Sequence, residues 1–444
     1  MLVFITFILI ILFGYLILNL FKETFPLPLE RLALGAILGM GLITLGMFIM
    51  GLLAIPFTRG NILAALTAGT VLVGLLVLAR GKLGRIKKNT DLFKETDRWK
   101  WCLIFLIGFL IFWSFLQTTY WPPFAWDALS LYDFRAKVFA DTHTLSGEIF
   151  TLQPSLASYT YSYPFFTSLA HALVYIMGGE NPQFIYSLMY TAFLVFVYFA
   201  FKKITSKKIS LLAVLIIGVS RSFLYHSTIA YTNLPYSIYF VISTIFLWQF
   251  WETGRKGYLY FGTIFLGLST WVRSVEPFWA VNLGLLFLYL VPRKKITLLI
   301  SNLIIFFAIR QLWIKYYLGM LKNVDDPAMV QTHFRIDFSN LFKATWFFVD
   351  QVIWVKEWFL VFLIFGLALF LGRNSLKRYW YVPLTIFLYL IVFWGGIYYY
   401  SLNYSWWDKI GGSINRLSFF LIPLLLYSSI KLAFNIKNLK KAAK

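Results

Sequence analysis

Long apolar stretches alternate with short polar segments along the whole chain, and the polar segments carry most of the charged residues. A helix needs about 20 apolar residues to cross ~30 Å of hydrocarbon, whereas membrane strands are shorter and alternate in polarity. The pattern therefore predicts an all-α fold, a polytopic bundle of about thirteen transmembrane helices. The predicted spans are residues 1–20, 32–55, 62–79, 101–119, 183–201, 209–226, 235–251, 258–272, 277–291, 297–318, 358–372, 380–397 and 417–432.

The composition agrees with a location in the membrane. Of the 444 residues, 60% are hydrophobic and 13% are charged, and the mean hydropathy is +0.74. These values lie outside the range of a soluble domain of this length. The first apolar stretch lacks the basic segment and small-residue cleavage site of a signal peptide, so we expect a retained helix. The predicted location is the cell membrane of a bacterium or archaeon, with the lipid bilayer as a partner.

The charged residues indicate which side of the membrane each loop occupies. The chain has 40 Lys and Arg against 18 Asp and Glu, a net charge of +22 that would suggest nucleic acid as partner of a soluble protein. Here the basic residues form short clusters between apolar spans, as the positive-inside rule describes, and no nucleic-acid partner is expected. The densest cluster lies within 80–100 and is placed in the cytoplasm. Outer loops are then predicted near 120–182, 319–357 and 398–416.

Two regions follow from this topology. Residues 1–100 are predicted to form a three-helix membrane segment and a basic cytoplasmic loop, and residues 101–444 a transmembrane region that contains the three outer loops. Within the first outer loop, the apolar segment 164–177 would make a helix of ~21 Å, too short to span the hydrocarbon comfortably. We therefore expect a juxtamembrane or re-entrant helix there.

The first outer loop holds the strongest candidate for chemistry, the acidic residue Asp127 next to Trp126. Two prolines end the preceding span, and apolar residues recur at helical spacing from Asp127 onward, which predicts a helix along the membrane surface. On that helix Asp133 and Lys137 are four residues apart and can pair. Two interpretations stay open. Either Asp127 caps the helix and Asp133 belongs to a surface ion pair, or Asp127 is a general base for an acceptor hydroxyl or amine.

Five short elements occur in a characteristic order between about residues 101 and 432. They are Trp126-Asp127, Ser162-Tyr163-Pro164-Phe165-Phe166, Ala230-Tyr231-Thr232-Asn233-Leu234-Pro235, Thr270-Trp271-Val272-Arg273-Ser274-Val275-Glu276-Pro277 and Asn415-Arg416-Leu417. Together they resemble the GT-C superfamily of membrane glycosyltransferases, in particular its mannosyl- and arabinosyltransferases. The chain departs from the family pattern in three places. Phe165 replaces a second proline, Asn233 stands where an acid is common, and the spacing from Arg273 to Glu276 is one residue longer.

The resemblance implies transfer of a sugar from a polyprenyl-phosphate carrier to a lipid, glycan or protein acceptor on the extracytoplasmic side. Asp127 would then be the general base, and Arg273 and Arg416 would stabilise the departing phosphate, because arginine offers paired donors to phosphate oxygens. The other predicted substrate-binding residues are Asp133, Arg135, Lys137, Tyr163, His171, Asn233 and Glu276.

Each of these residues also has a structural interpretation. Arg273 can snorkel or pair with Glu276, Arg416 can anchor the chain at the interface, and His171 can be a core histidine. The four histidines are scattered and Cys102 is the only cysteine, so no metal site, disulfide or cofactor is predicted. A divalent ion held by Asp127 with Asp133 is an alternative that no spacing supports.

Two other classes of function fit the same composition. A lipid-linked sugar or small-solute transporter would also need intramembrane charges, but nearer to helix midpoints. An O-antigen-type polymerase or ligase would share the donor and the side of the membrane. The second outer loop could act as a lid or bind acceptor, through its charged residues and an amphipathic stretch at 339–353. Those charged residues are Asp325, Asp326, His333, Arg335 and Asp337.

Overall fold

The computed structural model describes residues 1–21, 24–80, 98–146, 163–274, 276–321 and 336–442, which are helical and contain no strand. The α-helices are α1 (Leu2–Asn19), α2 (Pro28–Leu52), α3 (Arg59–Ala79), α4 (Arg98–Tyr120), α5 (Phe134–Thr142), α6 (Phe166–Ile176), α7 (Phe184–Lys202), α8 (Lys207–Val219), α9 (Arg221–His226), α10 (Asn233–Thr253), α11 (Lys256–Val272), α12 (Phe278–Leu290), α13 (Ile296–Leu321), α14 (Phe338–Phe348), α15 (Phe359–Leu371), α16 (Arg373–Tyr379), α17 (Tyr381–Asn403), α18 (Gly411–Ser418) and α19 (Leu421–Ala442). Two π-helices, Ala128–Asp133 and Val349–Ile353, precede α5 and follow α14, and a 3-10 turn, Trp407–Ile410, precedes α18.

The described residues contain eight helices that are long and apolar enough to cross a membrane: α1, α2, α3, α4, α7, α10, α13 and α17. Two bent helix pairs raise the number to ten if each pair is one span. The described part of the chain is thus an all-helical bundle with eight to ten candidate membrane spans, and the count of thirteen stays a prediction. The predicted short helix at 164–177 is α6, which has 11 residues and is not among the candidate spans.

Two predicted spans are divided in the structure. The span expected at 209–226 ends as α8 at Val219, because Ser220 leaves the helical conformation with ψ at 129°, and α9 follows as a separate short helix. The last span is preceded by α18, and the two segments are bent by 51°. Both breaks lie beside the candidate site, where they place Arg221 and Arg416 at the ends of short helices.

The first helices pack closely through glycine. A Cβ added to Gly14 would lie 2.1 Å from the carbonyl oxygen of Gly35, and one added to Gly39 would lie 2.2 Å from the carbonyl oxygen of Ile10. Small residues allow such close backbone approach between membrane helices. The pair α1–α2 also joins the rest of the bundle, since the Tyr239 hydroxyl on α10 donates to the Ile37 carbonyl at 2.7 Å.

Contacts between helix ends agree with an alternating up-and-down path. Lys203 Nζ lies 2.6 Å from Glu30 Oε1, and Lys431 pairs with Glu252. Glu30, Lys203 and Glu252 stand at helix ends that the alternation puts on one side, and Lys431 reaches Glu252 from the middle of α19. We call this side of the bundle the basic end.

The opposite side, which we call the loop end, gathers the other set of termini. The Phe57 N–H donates to the His143 carbonyl at 2.8 Å, and Asn181 Nδ2 donates to the Thr118 carbonyl at 2.8 Å. Arg59, the first residue of α3, donates from Nε to the Ile176 carbonyl at 2.6 Å. The first three helices therefore contact the region that contains Asp127 directly.

Candidate functional site

Asp127 stands at the loop end, just before the π-helix Ala128–Asp133. Its carboxylate makes no capping hydrogen bond to the described backbone that follows. It is instead 45% exposed and lies 3.5 Å from Arg416 Nη1. Asp127 therefore occupies the N-cap position, as one interpretation expected, but its side chain makes no capping hydrogen bond there and faces solvent on one side and a guanidinium on the other. Single π-turns occur often at functional sites.

Arg416 is held in place from several directions. Its Nε donates to the Gly412 carbonyl and its Nη2 to the Ser413 hydroxyl, both at 3.2 Å, while its guanidinium lies 5.3 Å from the centre of the Tyr231 ring. Asn233 Nδ2 donates to the Arg416 carbonyl at 3.1 Å. These contacts fix a guanidinium that remains 33% exposed. A positive group fixed at a surface is what an anionic ligand would require.

Arg273 forms the centre of a second, more buried group. It follows the last residue of α11 in an extended conformation, and its Nε donates to Glu276. Burial by itself would lower the pKa of Arg273, but the charge of Glu276 outweighs it and raises the pKa. The guanidinium also stacks 5.0 Å from the Tyr163 ring centre and is 14% exposed. The predicted pairing of Arg273 with Glu276 is confirmed.

One segment, Tyr231–Asn233 at the start of α10, joins the two groups. The Thr232 hydroxyl lies 3.3 Å from Arg273 Nη1 and 3.3 Å from the Tyr132 hydroxyl, while its two neighbours contact Arg416. Asp127, Arg273 and Arg416 thus belong to one contiguous cluster. Burial, with the charge of Asp127 adding to it, raises the pKa of Tyr231, so this phenol stays a neutral donor at pH 7.

Sequence reasoning did not select Tyr132, Tyr231 or Thr232 as site residues. Tyr231 and Thr232 belong to the sequence element Ala230–Pro235, and their position just before a predicted span was the available signal. Tyr132 had no such signal. Its hydroxyl reaches Thr232 across 100 residues of sequence, through a contact that only helix packing creates.

Asp133 faces the interior of the bundle, and its interpretation as half of a surface ion pair is wrong. Its carboxylate lies 3.1 Å from His171 Nδ1, accepts from the Tyr175 hydroxyl and lies 3.1 Å from Lys137 Nζ. His171 Nε2 is in turn 3.1 Å from the Tyr186 hydroxyl. Lys137 is 60% exposed and Tyr175 is partly buried, so the predicted pair of Asp133 with Lys137 is confirmed as the outer part of a cluster whose carboxylate and imidazole are buried.

The pKa of Asp133 reflects this environment. Burial alone would raise it, but the hydrogen bond and charge of His171, with the bonds from Tyr175 and Lys137, outweigh burial and hold the pKa below its ordinary value. The side chain is therefore a carboxylate that is itself buried and is paired with His171, Tyr175 and Lys137. It anchors the π-helix and α5 onto α6.

Arg135 is also buried against α6. Its Nε donates to the Ser168 hydroxyl at 3.0 Å, its Nη1 donates to the Tyr163 carbonyl at 3.1 Å, and its guanidinium lies 5.1 Å from the Phe165 ring centre. Burial lowers the pKa of Arg135 to about 10, which leaves the group cationic at neutral pH. Asp133, Arg135 and His171 thus lie behind the exposed residues and position Tyr163 and the helix that carries Asp127.

The described ranges contain no group of three or more His, Cys, Asp or Glu side chains able to hold a metal ion. Asp127 and Asp133 face different cationic partners. Of the second outer loop, Asp337 accepts from the Asn340 N–H at 3.0 Å and caps α14. Several residues named from the sequence lie outside the described residues: Asp325, Asp326, His333, Arg335, Ser162, Val275 and most of the basic cluster within 80–100.

The fold and the site together define a polytopic helical membrane protein with a cluster of paired arginines and carboxylates at its loop end. No protein-family model, curated protein or solved structure matches the chain. Within the cluster, Asp127 and Arg416 are the most accessible of the charged pairs, and Arg273 with Glu276 forms the layer beneath.

Proposed function

We propose that this chain is a GT-C-like membrane glycosyltransferase, which transfers a sugar from a polyprenyl-phosphate carrier to an acceptor at the loop end. The observation that carries the proposal is the pair of Asp127 and Arg416, a half-exposed carboxylate 3.5 Å from a fixed guanidinium. Transfer from a lipid phosphate needs both a base for the acceptor and a positive group for the leaving phosphate. The proposal takes the loop end to face away from the cytoplasm, as the positive-inside rule predicts.

In the proposed reaction, Asp127 accepts the proton of the acceptor hydroxyl as the acceptor oxygen forms a bond to C1 of the sugar. The bond between C1 and the phosphate oxygen breaks, and its electron pair remains on the phosphate. The products are the glycosylated acceptor and polyprenyl phosphate, and the proton passes from Asp127 to solvent. Such a step requires neither an oxidant nor a reductant.

Arg416 is the better candidate to meet the leaving phosphate. It is 33% exposed, whereas Arg273 is 14% exposed and already bonded to Glu276 and Thr232. In this proposal Arg273 does not touch the phosphate. It positions Thr232 and the Tyr163 ring, and its charge adds positive electrostatic potential beneath the phosphate. Tyr163 and Asn233 complete the wall next to the two arginines.

A transporter is the main rival, and Arg310 is the residue that would favour it because it lies in the middle part of the long helix α13. Its Nη1 donates to the Ser274 carbonyl at 2.9 Å, and its guanidinium lies 4.8 Å from the Trp279 ring centre. Ser274 is the neighbour of Arg273, so Arg310 contacts the same cluster at the loop end. This arrangement favours a single charged site over charges distributed along a pathway.

The test is transfer from a polyprenyl-phosphate-linked sugar by the full-length chain in lipid nanodiscs. Asp127→Asn keeps the shape but removes the base, and general base catalysis contributes about 10²–10⁴-fold, so we expect a rate loss of that order with donor affinity retained. Asp141→Asn is the matched control, an exposed carboxylate on α5 that touches none of the cluster. Wild-type transfer by Asp127→Asn would refute the assignment, and transport of the intact donor without transfer would favour the rival.

A further inference from the structure

The helix α14 presents an exposed row of aromatic side chains. Phe338, Phe342 and Trp346 follow one another at four-residue spacing, and they are 78%, 77% and 69% exposed. Residues four apart lie on one face of a helix, so the three rings form one continuous surface. The helix packs inward through Ala344 and Phe348, which are 0% and 8% exposed. An exposed apolar surface of this kind marks contact with a membrane or with another protein.

The contacts of α14 with the candidate membrane span α17 give the depth of this surface. Asn340 Nδ2 donates to the Ser401 carbonyl at 3.1 Å, and Trp394 Nε1 donates to the Thr345 hydroxyl at 2.9 Å. Because α17 ends at Asn403, a rise of 1.5 Å per residue puts these contacts about 3–14 Å from its loop end. Amphipathic helices insert their apolar face at this depth, between the lipid headgroups and the acyl chains. Lipid of the leaflet at the loop end therefore covers the exposed row.

A cavity of about 330 Å³ opens beside this row, between α14 and the 3-10 turn Trp407–Ile410. Its volume lies within the roughly 300–1,000 Å³ typical of small-molecule sites. Four aromatic rings line it, those of Phe342, Trp346, Phe347 and Trp407. The ring centres of Phe347 and Trp407 are 5.2 Å apart, and this contact holds the turn against the helix.

The charged groups that line the cavity are two carboxylates and one ammonium. Asp350 belongs to the π-helix that follows α14, Asp408 to the 3-10 turn and Lys343 to α14 itself, and all three are exposed. Gln351 Nε2 orients Asp350 by donating to its Oδ2 at 2.6 Å. Two carboxylates against one ammonium give the lining a formal charge of −1 in a chain whose net charge is +22. The cavity therefore favours a ligand with a cationic group.

The combination of groups selects the kind of ligand. Aromatic faces attract an alkyl ammonium, and carboxylates pair with it. A sugar could stack on the rings but offers no charge to Lys343, and an anionic lipid would bring its phosphate against two carboxylates without a compensating cation. A phosphoethanolamine headgroup carries an ammonium and a phosphate in one group, and it reaches this depth with its acyl chains in the membrane.

We propose that the cavity between α14 and the 3-10 turn binds the headgroup of an aminophospholipid. The ammonium lies between the rings of Trp346 and Trp407 and pairs with the two carboxylates, while the phosphate lies next to Lys343. The acyl chains then run along the exposed row of α14. This site is separate from the cluster that contains Asp127, and the inference does not depend on the proposed function.

The test is lipid binding to the full-length protein in detergent, measured by native mass spectrometry. The probes are phosphatidylethanolamine, its N-acetyl derivative and phosphatidylglycerol, all with the same acyl chains. N-acetylation removes the positive charge and leaves the phosphate and the chains unchanged. We expect phosphatidylethanolamine to bind about 5-fold more tightly than either of the other two, the difference expected for an exposed ion pair with a cation–π contact.

Variants at exposed positions test the contacts without disturbing the core. Asp350→Asn combined with Asp408→Asn should remove the preference for phosphatidylethanolamine, and Trp346→Leu should reduce it about 2–3-fold. The matched controls are Asp141→Asn, an exposed carboxylate on α5, and Trp354→Leu, a ring that is 68% exposed and does not line the cavity. Both controls should leave the preference unchanged.

Several results would overturn the proposal. They are equal binding of the three lipids by the wild type, an unchanged preference in the double variant, and equal losses in Trp346→Leu and Trp354→Leu. Displacement of the lipid by methyl glycosides of mannose or glucose would assign the cavity to a sugar instead, and tighter binding of phosphatidylglycerol would make it an anionic-lipid site. None of these results depends on sugar transfer, so the proposed function can fail while this proposal stands, and the reverse.

Discussion

The buried carboxylate of Asp133 allows the reasoning to be tested without knowledge of the substrate. It meets one buried partner, His171, one partly buried partner, Tyr175, and one exposed partner, Lys137. Removing one member of a buried charged cluster costs about 3–5 kcal/mol, because the remaining polar groups stay buried without a partner. An exposed ion pair contributes about 0–1 kcal/mol. We therefore expect Asp133→Ala to destabilise the fold by about 3–5 kcal/mol and Lys137→Ala by less than about 1 kcal/mol.

Asp133→Asn should fall between these values, at about 1–3 kcal/mol, since the amide retains one acceptor oxygen but not the charge. The measurement is equilibrium unfolding of the full-length protein in mixed micelles with increasing SDS. Asp141→Asn again serves as the exposed control. An equal cost for Lys137→Ala and Asp133→Ala, or a cost below about 1 kcal/mol for Asp133→Ala, would show that the Asp133 carboxylate is not a buried member of this cluster.

The same side chain predicts a pH dependence. Because the folded pKa of Asp133 is lowered, its stabilisation is complete above the unfolded pKa of about 3.9 and is lost as the pH falls through the folded value. The wild type should thus lose stability below about pH 4, and Asp133→Asn should lack this component. Parallel acid unfolding curves for the two proteins would contradict the assignment of the pKa shift to Asp133.

Three further predictions concern stability and use the same unfolding assay. Gly39→Ala should destabilise the packing of α1 on α2 by about 1–3 kcal/mol, because the added Cβ would overlap backbone atoms. Gly46→Ala is the control and should be neutral, since its Cβ would meet no atom within 4 Å in the described chain. Equal effects of the two substitutions would refute the close packing. Lys203→Met should lower the free energy of unfolding by about 3–5 kcal/mol, because it leaves the Glu30 carboxylate buried and unpaired. Adding Glu30→Gln to the same chain removes that charge and should restore much of the lost stability. If stability is not restored, the pairing is contradicted. Ser187→Ala removes buried bonds of 2.7 and 2.9 Å to two hydroxyls on α4 and should cost about 1–2 kcal/mol, so an unchanged midpoint would count against this cluster.

Local features of the chain could be predicted from the sequence. The spans follow from the length of apolar runs, because the bilayer sets one length for every crossing helix. The 164–177 segment was too short to cross, and α6 is indeed a short helix. The spacing of Asp133 and Lys137 was sufficient to predict their pair, since four residues make one helical turn.

The candidate site needed the tertiary structure. Asp127 and Arg416 are 289 residues apart, and the sequence alone could not tell whether either one caps a helix, anchors the chain or meets the other. It also could not tell that Asp133 and Arg135 point inward while Asp127 points outward.

The sequence could not predict these contacts because the solvent around the helices is a lipid bilayer. In water an apolar face marks the side of a helix that packs inward, but in a bilayer the lipid-facing side is equally apolar, so the pattern does not reveal which helices meet. The helix α10 is 94% buried across its most apolar window, whereas α3, whose window is more apolar, is 22% buried. Hydropathy by itself determined that these helices belong in a membrane. Packing among the helices decided which of them form the core, and so which loop-end residues are brought together.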